Sequence, residues 1–234
     1  MWTVAKKEIA GYFKSPIAYV LIGFFILLVS LFYIPFLNAG SGDFITVVND
    51  MGFFLVFIVP ILTMRILAED RKNGTEVLLL TSPTSLFKIV MGKFLAAYSV
   101  FLVIAAISMI YPVINLFFGG VFTVQLVGGY IGFLLLGAAF VAVGVFASAI
   151  TENQIIAAII SFVILLLMWV ASTFSSMVGG VMGTVLEWIS LLSRYQVFTM
   201  GILSLTQVIY FISFIFLFIF LTVRVIERRR WVQG

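Results

Sequence analysis

The sequence has no cysteine and no histidine, and charged residues fill only 9% of its 234 positions. Without cysteine, neither a disulfide nor a thiolate ligand set can form. Without histidine, the commonest proton shuttle and metal ligand is missing. A zinc, haem or iron–sulfur centre lacks its usual donors, and a Ser-His-Asp centre cannot be assembled. No G-x-x-x-x-G-K-[ST] stretch occurs, so the chain has no P-loop for nucleotide phosphates. The expectation is a protein with no catalytic residue, metal site or cofactor of its own.

What is abundant is apolar. Hydrophobic residues make up 64% of the chain and the mean hydropathy is +1.29. A soluble domain is roughly half apolar and about a quarter charged. Charges this sparse cannot cover so much apolar surface in water, so lipid is the solvent for most of the chain. The apolar runs are continuous, whereas barrel strands alternate over about ten positions. The fold class is therefore an all-α polytopic membrane protein in one domain. A span needs about 20 apolar residues, and six stretches qualify: 17–37, 51–68, 94–118, 125–150, 155–178 and 206–223. The first run is longer than a signal-peptide core and follows charged residues that include Glu8.

Twelve of the thirteen basic residues fall on one side of these spans, among them Lys14, Arg65, Arg71, Lys72, Lys93 and Arg229. The other side has Arg194 alone, and its first loop carries Asp43 and Asp50. The positive-inside rule puts both termini in the cytoplasm. The basic excess is thus a topology signal, and nucleic acid is not an expected partner.

Local signals fit the spans. Ser15-Pro16 reads as an N-cap with Pro at the first helical position, and Thr151-Glu152 suits the start of the fifth helix. Pro60 and Pro112 should kink the second and third. Gly128 and Gly132 form a G-x-x-x-G pair, which fits close packing within the chain as well as it fits a dimer face.

Four features bear on function. Trp2, Ala5, Ile9, Tyr12 and Phe13 recur at helical spacing, with Lys6, Lys7, Glu8 and Lys14 on the other side. Residues 1–14 therefore read as an amphipathic interfacial helix, either a topogenic leader or a mechanical element. The loop from Arg65 to Lys93 is the only sizeable cytoplasmic one. Glu69, Asp70, Arg71 and Lys72 should extend span two, Asn73-Gly74 should end it, and Thr75 should cap a short helix carrying Val77 to Leu80. That apolar helix fits a docking element for a soluble subunit. It equally fits a segment dipping into the headgroups, which the spacing alone slightly favours. The outer segment 179–205 should hold a helix lying in, or re-entering, the outer leaflet, with Trp188 and Tyr195 at interface depth. Finally, the middles of the spans hold no charge, which argues against ion pumping and for an amphipathic or lipid-like cargo.

These residues also resemble a known family. The opening Lys7-Glu8-Ile9 and Phe13-Lys14-Ser15-Pro16-Ile17-Ala18-Tyr19 are similar to the start of the gliding-motility-associated group of ABC-2 type transporter permeases. Thr63-Met64-Arg65, Glu69-Asp70-Arg71-Lys72, Gly74-Thr75, Leu78-Leu79-Leu80-Thr81 and Pro83 look like that family's coupling segment, its most specific part. Gly92-Lys93-Phe94, Asn153-Gln154-Ile155, Gly201-Ile202 and Val208-Ile209-Tyr210-Phe211 continue the likeness over the whole chain. One position departs from the family pattern. The family's acidic residue stands two places after the Thr, where this chain has Val77, and the carboxylate comes at Glu76, about 100° away on a helix.

The resemblance implies a permease subunit in a bacterial plasma membrane, with a second copy or a paralogue beside it. Two ABC ATPase subunits, carrying the ATP and Mg, would grip a coupling site made of Arg65, Glu69, Asp70, Arg71, Gly74, Thr75, Glu76, Leu78, Leu79, Thr81 and Pro83. The interfacial helix, through Trp2, Ile9, Tyr12 and Phe13, would pack beside it. An extracytoplasmic accessory protein is a further expected partner. With the resemblance, docking outweighs headgroup dipping for the loop. The rival reading is a stand-alone secondary carrier or a membrane anchor of an envelope complex.

Overall fold

The computed structural model describes residues 1–38, 44–76 and 84–232. Among them every regular element is a helix: α1 (Trp2–Lys14), α2 (Pro16–Asn38), α3 (Ile45–Thr63), α4 (Ala68–Lys72), α5 (Leu86–Ser108), α6 (Ile110–Phe117), α7 (Val124–Ile150), α8 (Gln154–Val178), α9 (Gly180–Ile189), α10 (Leu191–Thr199) and α11 (Leu205–Val232). Six segments are long and apolar enough to cross a membrane, as an all-α polytopic protein requires.

The spans starting at Ile45 and Leu86 include 28 and 32 residues, against the shorter apolar runs at 51–68 and 94–118. Hydropathy stops at a charge, but a helix does not. Lys93 sits inside α5 with its charge neutralised, and α11 continues through its terminal arginines.

The hub is the pair α3 and α7. In these two, 72% and 78% of the apolar window lies inside the bundle, against at most 44% for the other four spans. α7 packs on α3, α5, α8, α10 and α11, and α2 lies against α3. Lipid offers no hydrophobic drive between helices, so close approach of small residues has to hold such a hub. Gly144 of α7 lies against Thr63, Gly137 against Phe101, and Gly132 against Phe198, where an added Cβ would stand 2.6 Å from Phe198 Cβ. Gly128 and Gly132 thus seat α10 within the chain, which decides between the two uses open to their spacing.

The helix caps follow ordinary chemistry with one shift. Ser15 Oγ accepts from Ile17 N–H at 3.4 Å, and Pro16 opens α2. The cap of α8 is Asn153, not Thr151. Asn153 Oδ1 accepts from the Ile155 and Ile156 N–H groups, and Thr151 Oγ1 supports Asn153 N–H from outside the helix. An amide oxygen one residue from the helix reaches the second and third N–H, and Thr151 stands too far back. Pro60 lies within a continuous α3, whereas the helix holding Pro112 breaks at Met109 between α5 and α6. Proline has no N–H, so it leaves the carbonyl of Ser108 without its helical partner. Tyr130 of α7 supplies the missing donor, its hydroxyl reaching Ser108 O at 3.0 Å. In hydrocarbon an orphaned carbonyl is costly, so the break depends on that tyrosine.

α1, α4 and the C-terminal part of α11 gather at one end of the bundle, called here the basic end. The segment after α8 forms two helices, α9 and α10, at the opposite end. Tyr195, expected at interface depth, is instead fully buried: its hydroxyl donates to Val48 O at 2.7 Å, and its ring lies beside Gly52. Trp188 stays 65% exposed.

Candidate docking site at the basic end

The site is built around α4, one and a half turns that could not hold a helix alone. Its N-terminus is fixed by Ser148 of α7. Ser148 Oγ accepts from Leu67 N–H and Ala68 N–H and donates to Met64 O, all at 3.0 Å. One buried hydroxyl thus satisfies two of the orphaned donors every helix start presents. At the other end Asn73 closes α4 and Gly74 turns with φ +70°, a left-handed position that a glycine adopts without steric cost.

Lys93 ties three elements together. Its side chain is 2% exposed; the ammonium donates to Glu8 Oε1 of α1 at 2.9 Å and to Ile66 O of the α3–α4 turn at 2.8 Å, and it forms an ion pair with Asp70 Oδ2 of α4 at 2.6 Å. A lysine is almost never this buried unless paired. Here two carboxylates and a carbonyl replace its water. α1 is anchored a second time by Tyr12, whose hydroxyl donates to Leu62 O at 2.8 Å under the guanidinium of Arg65, 4.7 Å above the ring. Burial pushes the Tyr12 phenol well above its ordinary range, with Arg65 opposing, so Tyr12 remains a donor at any physiological pH.

The remaining sequence-selected residues fall on both faces of this construction. Arg71 reaches across to α7 and α8, its Nη1 donating to Ile150 O at 3.2 Å and its Nε lying 3.8 Å from Glu152 Oε2. Thr75 closes back on α4, and the helix it is expected to cap, carrying Val77 to Leu80, lies outside the described residues. The Thr75 hydroxyl donates back to Asp70, to the main-chain oxygen at 3.1 Å and to Oδ1 at 3.0 Å. Glu76, the carboxylate displaced from the family position, accepts from Arg229 Nη1 of α11 at 3.2 Å, and Arg229 also donates to Ala149 O. That carboxylate is therefore committed within its own chain. Glu69 and Lys72 are exposed. In α1, Trp2 is exposed, Ile9 half-buried, and Phe13 packs edge-on to Tyr19 with ring centroids 6.1 Å apart. A cleft of about 350 Å³ opens between α1 and the α3–α4 turn, with Glu8, Arg65, Glu69 and Asp70 on its walls. Leu78, Leu79, Thr81 and Pro83 lie outside the described residues.

Sequence reasoning named the strap but not its fastenings. Lys93, Ser148 and Arg229 hold α4 in place, and none was selected as a site residue. A signal for Lys93 existed: Ile89, Val90, Ala96 and Ala97, three and four residues to either side, make an apolar face with a cation at its centre. Such a position requires carboxylates. Ser148 gave no comparable signal among small residues. Its removal has a readable effect. Ser148→Ala orphans two buried N–H groups, and we expect it to destabilise the folded protein by about 2 kcal/mol and to expose α4 to protease while α7 stays protected. Unchanged proteolysis of residues 64–76 would refute that role.

The arrangement can transmit force. α4 is tied to α7 through Ser148 and to α1 and α5 through Lys93, and Glu76, just beyond it, is tied to α11 through Arg229. No curated protein matches the chain. A family model described as ABC-2 family transporter protein matches residues 38–226, which include the hub helices, α4, Lys93 and Ser148; the chain is thus a membrane-spanning member of the ABC-2 transporter family.

Proposed function

We propose that this chain is the permease subunit of an ATP-driven exporter, coupling hydrolysis in a separate ATPase to the movement of an amphipathic or lipid-like substrate. The ATPase docks at the basic end, in the cytoplasm, on exposed Glu69 and Lys72 and on the apolar residues from Val77 to Leu80. Two ATPase copies, a second permease copy or paralogue, and a bacterial plasma membrane complete the picture, in a chain that resembles the gliding-motility-associated group. An extracytoplasmic accessory protein is a further partner in this reading.

The observation that carries it is the triple engagement of Lys93. A docked motor needs a rigid handle, and a buried ion pair of this kind fixes geometry more than it adds stability. The lipid-facing surface supports the cargo class. Between α2, α3 and α8 lies a groove of about 550 Å³ walled by Phe24, Phe53, Phe54, Phe57 and Phe162, with almost no polar surface. Aromatic walls open to lipid suit an acyl chain better than a hydrated ion.

The test is co-purification. The wild-type chain should bring down a nucleotide-binding subunit, and Leu79→Asp should release it while leaving the permease monodisperse. A charge placed in a desolvated helix-in-groove contact costs several kcal/mol, so the loss should be near complete. Retention of the ATPase by that variant refutes the docking assignment.

A further inference from the structure

At the opposite end, α9 turns a row of apolar side chains outward. Gly179 and Gly180, with φ +62° and +60°, reverse the chain after α8. α9 then runs back beside α8, so that Ser175 Oγ donates to Gly183 O at 2.7 Å. Val181, Met182, Val185 and Trp188 point outward and are exposed. Gly183 is buried against α8, and Thr184 and Glu187, both exposed, line a cleft of about 400 Å³ together with Ser172, Ser176 and Ser193. So apolar an outward face suits contact with lipid. Glu187 lines this cleft together with Ser172, six residues or about 9 Å from the end of α8 at 1.5 Å per residue. Glu187 is the one carboxylate on this cleft, exposed at it among serine and threonine hydroxyls.

The chemistry of the cleft is one-sided. Four of its hydroxyls have already spent their protons: Ser175 on Gly183 O, Ser176 on Thr173 O, Thr184 on Gly180 O, and Ser193 on Ser190 Oγ. What they leave facing the space are oxygen lone pairs. Glu187 makes no ion pair among the described residues, and the nearest guanidinium in sequence, Arg194, is engaged elsewhere, over the Trp188 and Tyr210 rings and on Gln207 Oε1. The cleft thus offers acceptors and one negative charge, with an oily outer wall.

We propose that the α8–α9 cleft binds a primary ammonium group carried by an amphipathic molecule, as an ethanolamine lipid headgroup presents it. A primary ammonium brings three N–H donors to match convergent acceptors, and its charge matches Glu187. A quaternary ammonium has no donor, and an anionic headgroup is repelled. The acyl chains would lie along Val181 and Val185. This assignment rests on the end of the bundle away from α4 and stands or falls separately from ATPase docking.

Native mass spectrometry of the detergent-purified chain, titrated with phosphatidylethanolamine, phosphatidylcholine and phosphatidylglycerol of identical acyl chains, tests it. Phosphatidylethanolamine should bind about tenfold more tightly than either of the others, the scale of one charge-assisted contact. Glu187→Gln should remove that preference, and Glu187→Lys should abolish phosphatidylethanolamine binding. Glu187 is exposed, so neither change disturbs packing, and size-exclusion profiles should match wild type. Free ethanolamine added in excess separates the sources. If it displaces the lipid, the amine alone is recognised; if it does not, recognition requires the lipid-borne amine. Equal binding of all three lipids, or a preference surviving in Glu187→Gln, overturns the proposal.

Discussion

Lys93→Met should lower the stability of the folded protein by about 3 kcal/mol, equivalent to a fall in Tm of about 6–12 °C for a chain of this size, and should loosen the ATPase proposed to dock there. Methionine keeps the length and the apolar stem but gives nothing to Glu8, Asp70 or the Ile66 carbonyl. Removing one partner of a buried ion pair typically costs 3–5 kcal/mol because the other charge is left uncompensated. The Glu8 and Asp70 side chains keep 27% and 25% exposure, so water reaches them and the lower end of that range applies. A double-variant series separates the contributions: Asp70→Asn in the Lys93→Met background should recover part of the loss, because it removes the stranded charge. Thermal unfolding in detergent measures this. A fall of under about 2 °C would show that Lys93 does not hold α1, α4 and α5 together.

Gly144→Leu should be at least as damaging, for a reason of volume rather than charge. The position faces Thr63 at the α3–α7 crossing, where even a Cβ overlaps the threonine side chain. Thr63 is fully buried and its hydroxyl is held on Val59 O at 2.8 Å, so turning it away frees a polar group in hydrocarbon. Overpacking of a tight core costs about 1–3 kcal/mol and sometimes more. A leucine at the central crossing belongs at the top of that range, and we expect most of the protein to be lost from the membrane fraction. Gly23→Leu is the control. It changes the same residue types on α2, but nothing lies within 4 Å of its Cβ, and it should express normally. If both variants express alike, the α3–α7 contact is not the hub of the bundle.

The contrast between those two glycines marks where sequence reading ends. Both occur in long apolar helices, and no pattern in either helix distinguishes the one that faces lipid from the one that faces Thr63. The same holds for Ser148, one small residue among many in α7, which proves to cap α4. Lys93 was more legible, since a cation inside an apolar periodicity calls for a counter-charge, but two carboxylates 23 and 85 residues away had equal claim with several others. Glu76 shows the same limit from the other side: spacing recorded its displacement, and only the neighbouring end of α11 supplied Arg229 as its partner.

By itself the sequence determined the solvent, the all-α class, the six spans and the segregation of charge to one end. Those follow from sums over some twenty residues, in which individual errors cancel, and from the obligation of every backbone group in lipid to bond within its own helix. The tertiary structure alone decided which faces meet, which glycines are crossings, which tyrosine rescues the Pro112 break, and which groups fasten α4. The reason is that apolar side chains gain nothing from each other over lipid. Helix pairing is then settled by steric fit and by a handful of polar contacts between residues far apart in the chain, and neither leaves a periodic trace in the sequence.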